Sequence, residues 1–246
     1  MRIAADLHIH STLSPCGSLE MSPRAIVEQA LAFGLDMIAL TDHNSVENGF
    51  HAAAYGASRG LSVICGMEAQ TVEDVHLLCL LPSPSAAAAF YRRIYPHLPE
   101  TANNPAYFGD QVVVDCADNI VRVEERLLLN SLDLSLGEVT ALVVACGGFV
   151  IPAHVESRQY SLLATLGFLP DELAACPLEI SYCTPFEAAV AAFPALAGRR
   201  LVSNSDAHYL ADIGRARTVF EAEGKTLAAV FQAALAGRYC VEYREG

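Results

Sequence analysis

Lysine is almost missing from this chain: Lys225 is the only one in 246 residues. Acidic residues outnumber Lys and Arg by 28 to 15, which leaves a net charge of −13. The global basic footprint of a nucleic-acid binder is therefore absent. An acidic protein can still take a phosphorylated substrate when metal cations supply the local positive field. No apolar run approaches the roughly 20 residues of a membrane span. The nearest is 141–151, whose glycines suggest a helix passing into a strand. No Lys/Arg-led apolar leader opens the chain, because Asp6 and two histidines arrive at once. These absences predict a cytoplasmic protein without a membrane partner. None of the eight cysteines forms a Cys-x-x-Cys pair, which argues against a structural zinc knuckle. Most sit in apolar runs and read as reduced, buried thiols. No Gly-x-Ser-x-Gly, no P-loop, no internal repeat and no low-complexity linker is present.

What is present is apolar bulk and a recurring motif. The chain is 53% hydrophobic and 17% charged, enough for a sizeable core in one α/β domain. The stretch Ile3-Ala4-Ala5-Asp6-Leu7-His8-Ile9-His10 is an apolar strand running into two histidines. Alternation along a strand puts His8 and His10 on one face, a ready metal chelate. Further strand-like runs end at Thr41-Asp42-His43, Gly66-Met67-Glu68, Pro152-Ala153-His154 and Ser205-Asp206-Ala207-His208, and His76 lies near the start of another. Helices are expected after most of these runs, the first capped by Ser22 with Pro23 at its first position and stopped by Gly34.

Strand, loop and helix in alternation, with strands apolar throughout, predict a parallel sheet covered on both faces. In a barrel of parallel strands the C-terminal rim carries the site. The whole chain, 1–246, reads as one such domain with an irregular excursion at about 96–134. Within it, 111–114 and 119–123 suggest a hairpin around Asp118, followed by a helix from Glu124. Asp115, Asp118, Glu124 and Glu125 read as a solvated acidic face.

The ordered set of motifs resembles the PHP (polymerase and histidinol phosphatase) family. The resemblance implies a distorted (β/α)7 TIM-like barrel, two or three divalent ions (Zn, Mn or Fe) and phosphoester hydrolysis. Carried over motif by motif, His8, His10, Glu68 and Asp206 would hold a first metal. Glu68 would bridge to a second, held also by His76 and His154. His43 and His208 would hold a third, and Asp42 would orient an imidazole. The catalytic set so implied is Asp42, His43, Glu68, Asp206 and His208. Many members carry Asp or His in the loop after the second histidine to complete the third site. Here Cys16 stands close to that position; either it ligates as a thiolate, favouring zinc, or that site is weak or empty.

The chemistry is self-consistent. Imidazole and carboxylate suit Zn, Mn or Fe, and clustered cations can activate water without a protein nucleophile. A buried Glu68 at the end of an apolar strand would be costly unless it coordinates a cation. His51 and His97 lie outside the motifs and read as structural. Arg158 and Arg215 follow ligand motifs and are candidates to bind a substrate phosphate, against ordinary surface ion pairs. The expected activity is an ester-bond hydrolase acting on a small phosphorylated metabolite, such as a nucleotide or an amino-alcohol phosphate. A polymeric nucleic acid is not expected, given the compact domain and the charge. Two alternatives remain: a catalytically silent metal-binding domain, and an amidohydrolase-type C–N hydrolase, which the scarcity of lysine disfavours.

Overall fold

The computed structural model describes residues 1–244. Its elements follow the sequence punctuation. Strand β1 (Arg2–Ile9) leads to α1 (Pro23–Ala32), where Ser22 caps by accepting from Ala25 N and proline takes the first turn. Strand β2 (Met37–Leu40) precedes α2 (Glu47–Arg59), which ends on Gly60 at φ 81°. Strands β3 (Ser62–Gln70) and β4 (His76–Leu80) come next, then α3 (Pro84–Ile94). The short α4 (Pro105–Phe108) and strands β5 (Val112–Val114) and β6 (Ile120–Val123) make up the excursion. Helix α5 (Leu136–Ala145) starts at a reciprocal cap between Ser135 and Glu138. Strand β7 (Phe149–Pro152), α6 (Leu162–Leu166), β8 (Leu178–Glu179), α7 (Phe186–Ala192) and β9 (Leu201–Val202) follow. Strand β10 (Ala216–Glu221), α8 (Leu227–Leu235) and β11 (Tyr239–Tyr243) complete the described chain.

The main sheet has seven strands in the order β11-β10-β1-β2-β3-β4-β7. Only its centre is parallel: β1 with β2 and β2 with β3. The expected all-parallel alternation stops there. β3 pairs β4, β4 pairs β7, β1 pairs β10 and β10 pairs β11, all antiparallel. The cause is local. No crossover helix separates β3 from β4; a tight turn reverses the chain, with Thr71 N bonded to Val75 O and Asp74 at φ 58°. The α/β class stands, but the sheet is mixed, and β8 and β9 form a separate parallel pair. Hydrogen bonds tie that pair and the segment after it to β7 at one sheet edge and to β1. Val155 N donates to Glu179 O beyond β7, and His10 N donates to Ala207 O beyond β1.

Both sheet faces are covered, so the strands can be apolar without alternation. Ile3, Ala5 and Leu7 pack with Met37, Ala39, Leu78, Leu80 and Phe220, under Val230 and Phe231 of α8. Ile38 and Leu40 face the opposite way, onto Ile26, Val27 and Ala30 of α1. Each such buried aliphatic contributes about 1.5–3 kcal/mol against exposure.

In the excursion the predicted hairpin forms, with Asp118 at φ 63° in its turn. The helix predicted from Glu124 does not. The Gln111 side chain takes that segment's backbone instead, donating to Glu124 O and Arg126 O and accepting from Leu128 N. Nor is Glu124 part of a solvated face: it is buried, bonded to Tyr95 Oη and Arg122. All eight cysteines are free thiols, but only Cys65 and Cys79 are buried; Cys16, Cys183 and Cys240 are exposed. Among the described residues no helix is long and apolar enough to cross a membrane.

Candidate metal centre

Glu68 is the hub of the site. It lies near the end of β3, 1% exposed, with five imidazoles around its carboxylate. His76 Nδ1 is 2.9 Å away, His43 Nδ1 3.1 Å, His154 Nε2 3.2 Å, His8 Nε2 3.3 Å and His10 Nε2 3.4 Å. The topology explains the convergence. The β3–β4 hairpin sets Gln70 opposite His76, so Glu68 and His76 meet across one turn. His8 and His10 share a face at the end of β1, their Nε2 atoms 3.2 Å apart. His43 follows β2, and His154 follows β7. Beyond β9, Asp206 Oδ1 lies 3.4 Å from His8 Nε2 and 3.3 Å from His10 Nε2.

Of these five contacts only that of His154 Nε2 with Glu68 Oε1 is a hydrogen bond. The Nδ1 atoms of His43, His76 and His154 are buried without a hydrogen-bond partner among the described residues, although two of them lie beside Glu68. Orphaned buried nitrogens converging on a carboxylate are costly unless a shared positive charge sits among them. Three overlapping donor groups fit that role: His8, His10 and Glu68; His43, Glu68 and His76; and His10, Cys16, His43 and His208. Imidazole–carboxylate sets of this kind suit divalent ions such as Zn, Mn or Fe.

A second tier of bonds aims the donors. His8 Nδ1 meets Glu179 Oε2 at 3.0 Å, which turns Nε2 inward. His10 Nδ1 meets Ser14 Oγ at 3.0 Å, and Ser14 in turn donates to Asp42 at 2.7 Å. Asp42 also accepts from Ser11 N and Ser11 Oγ, so it acts on the site only through the loop. His208 Nδ1 donates to Asp206 O at 2.9 Å, and His76 Nε2 meets Gln70 Oε1 at 3.2 Å. Asp6 is held beneath, accepting from Ser205 N and Gly214 N, and burial pushes its carboxyl up to about 6.

The local charges are steeply graded. Burial works against a charge on His8, but Glu179, Asp206 and Glu68 outweigh it and hold the imidazole well above its ordinary value. Burial and the nearby His10 push His208 down to about 4. Cys16 is exposed but lines the cavity, and desolvation of its thiol there, then Glu68 and Asp206, pushes it up to about 12. The backbone is strained at the same place: Asn44, His154, Tyr160 and Asp206 all have positive φ. Side chains fix it there. Asn44 accepts from Gln70 N and donates to Leu128 O and Asn130 O, and Glu179 accepts from His154 N.

The donors open into a cavity of about 620 Å³ lined by Cys16, Ser157, Arg158, Gln159, Tyr160 and Ser181 as well as the histidines. Arg158 is exposed on its wall, and among the described residues it has no ion-pair partner. Arg215 is placed otherwise. Its guanidinium donates to Ser205 O and Asp206 O, pairs with Asp212 and stacks on Tyr182. It braces the Asp206 turn and does not line the cavity. Sequence reasoning missed Glu179, Ser14, Gln70, Asn204 and Tyr160, whose ring stacks on His76 with centroids 4.8 Å apart. Glu179 carried a readable signal, an acid inside the apolar run Leu178-Glu179-Ile180, the same argument that pointed to Glu68.

Among curated proteins, a PolC-type DNA polymerase III of Oceanobacillus iheyensis is 41% identical over 69 residues, 28% of this chain but 5% of the polymerase. Among solved structures, the lesion-specific endonuclease PfuEndoQ of Pyrococcus furiosus shares the fold over 98% of this chain at TM-score 0.70 and 21% identity. This chain covers 58% of that endonuclease. An endonuclease Q complex with a 27-mer duplex, an abasic lesion at its active site, matches over 99% of this chain and 58% of its own, at TM-score 0.69 and 21% identity. That finding overturns the expectation that a polymeric nucleic acid is unlikely: a longer protein that shares this fold holds duplex DNA. An acidic average does not exclude one, because net charge does not report the field at one site. The PHP-associated family matches residues 194–239. The PHP domain family matches residues 6–143, more than half of the sequence, and the chain belongs to that family.

Proposed function

We propose that this protein is a metal-dependent phosphoesterase whose reaction takes place above Glu68, at the floor of the open cavity. The observation that carries the reading is the convergence of five imidazoles on one buried carboxylate, with Asp206 beside them. Divalent cations held there would supply a water nucleophile at neutral pH and neutralise charge on the phosphoryl oxygens. His8, His10, Glu68 and Asp206 would hold one ion, and Glu68, His76 and His154 another. The chain's own residues do the rest: Glu179 and Ser14 fix the imidazole orientations, and Arg158 on the wall can fork onto a phosphate. The cavity volume suits a nucleotide-sized group. A free nucleotide-like phosphoester is one substrate reading. The duplex held by a protein of this fold favours a second, a phosphodiester within DNA.

A silent metal-binding role is the weaker alternative, because a closed structural site needs no open cavity over its donors. The carbamylated-lysine form of C–N hydrolysis has no support: Lys225 is paired with Asp36 and does not line the cavity. The test is phosphate release and strand cleavage by Mn- or Zn-loaded protein, on nucleotides, sugar phosphates and duplexes with an abasic site. Activity should vanish in His8→Ala and on chelation. A metal-replete protein inert on the whole panel would refute the reading.

A further inference from the structure

We infer that Cys16 is a thiolate ligand, alongside His43 and His208, at a third cation position selective for thiophilic ions such as zinc over manganese. The inference rests on the metal-centre reading above. One donor atom from each of His10, Cys16, His43 and His208 lies within 4.8 Å of all the others. Tetrahedral bonds of about 2.0–2.3 Å place neighbouring ligand atoms roughly 3.3–3.8 Å apart, so these donors need only a small contraction. His10 is already committed, with Nδ1 at Ser14 and Nε2 beside His8. The remaining three match the three-ligand pattern that leaves one position open for a reacting molecule.

Each member is prepared for that role. His208 donates Nδ1 to Asp206 O, which frees its other nitrogen. His43 keeps a buried Nδ1 without a partner. The Cys16 loop is pinned on both sides: Gly17 N donates to Ser14 O, Ser18 N donates to His208 O, and Ser14 Oγ donates to Asp42. A Cβ on Gly17 would meet Ser11 O at 2.7 Å, so the loop closes this tightly only with glycine there. Pro15 O presses on Gly109 from the excursion. Binding forms a metal–sulfur bond as the thiol proton leaves to water. Thiolate is a soft donor, which disfavours manganese.

The full chain is stripped with a chelator, reconstituted with Co(II) and read by absorption. A thiolate-to-cobalt charge-transfer band should appear in the near ultraviolet, together with visible ligand-field bands. Cys16→Ser should lose the first, keep the second and carry about one ion less per chain. Cys16→Asp should recover the ion without the band, and melting curves should report both variants folded. Zinc should block alkylation of Cys16 in the wild type. Ligand-field bands without a charge-transfer band, or a band unchanged in Cys16→Ser, would overturn the assignment while leaving the metal centre intact. Failure to bind cobalt at all would remove both.

Discussion

Glu179→Gln tests how far the site depends on its buried support. The wild-type carboxylate is 2% exposed and meets only donors: Asn204 Nδ2 at 2.8 Å on one oxygen, His154 N and His8 Nδ1, both at 3.0 Å, on the other. An amide has one accepting oxygen. If that oxygen faces His8 and His154, its NH2 meets the NH2 of Asn204. Asn204 cannot rotate freely to help, because its oxygen accepts from Leu7 N. If the amide turns the other way, its NH2 faces His8 Nδ1, which must then accept and carry its proton on the inward Nε2. Either arrangement leaves a buried donor unpaired, costing about 1–3 kcal/mol of stability. The second also puts a proton on the His8 nitrogen that faces Glu68. Loss of such a supporting carboxylate lowers metal affinity by about 10–100-fold. That corresponds to about 1.4–2.8 kcal/mol. Chelator-competition titration and thermal melting of metal-free protein separate the two effects. Affinity within twofold of wild type together with an unchanged melting temperature would refute the account.

Two further substitutions probe the frame around the site. Asn44→Ala removes a side chain that accepts from Gln70 N and donates to Leu128 O and Asn130 O from a left-handed backbone; it should cost about 2–4 kcal/mol in denaturant unfolding, most of it from stranded backbone groups. Lys225→Ala addresses pH. Burial raises the Asp36 carboxyl, but the bond from Lys225 and the one from Ala4 N prevail and hold it below its ordinary value. Its contribution is therefore present above the unfolded carboxylate pKa and lost as pH falls through the folded one. For a pair this exposed it amounts to about 0.2–1 kcal/mol, and the mutant's unfolding curve should converge with wild type in acid.

Most of the candidate donors were legible because they end an apolar run, where an ionisable side chain has no cheap alternative to a partner. His8, His43, Glu68, His154 and Asp206 were read that way, and the structure sets three of them, His8, His43 and His154, around Glu68. The supporting residues were harder to read. Ser14 and Gln70 are ordinary in sequence and matter only through one bond each. The antiparallel half of the sheet was hidden because Thr71-Val72-Glu73-Asp74 contains neither glycine nor proline, yet turns the chain. The missing helix after β6 was decided by one distant side chain, Gln111, which local propensity cannot see. The expectation against a polymeric nucleic acid was drawn partly from bulk charge, a quantity that says little about the field at one site.

The position of β1 has a consequence for the order of events during folding. Its partner on one side, β2, follows closely, but its partner on the other, β10, comes near the end of the described chain. The contacts of its two ends are just as remote: Met1 N reaches Ala222 O across 221 residues, and His8 reaches Glu179 across 171. Contacts of such separation form slowly, because a long loop must close before they repay it. On the ribosome, His8 and His10 emerge long before Glu179, Asp206 and His208 exist to complete their surroundings. Two of the donor groups, His8 with His10 and Glu68, and His43 with Glu68 and His76, are therefore made early, whereas Glu179, Asp206 and His208 join them only near the end, so the full set of donors and supports closes late.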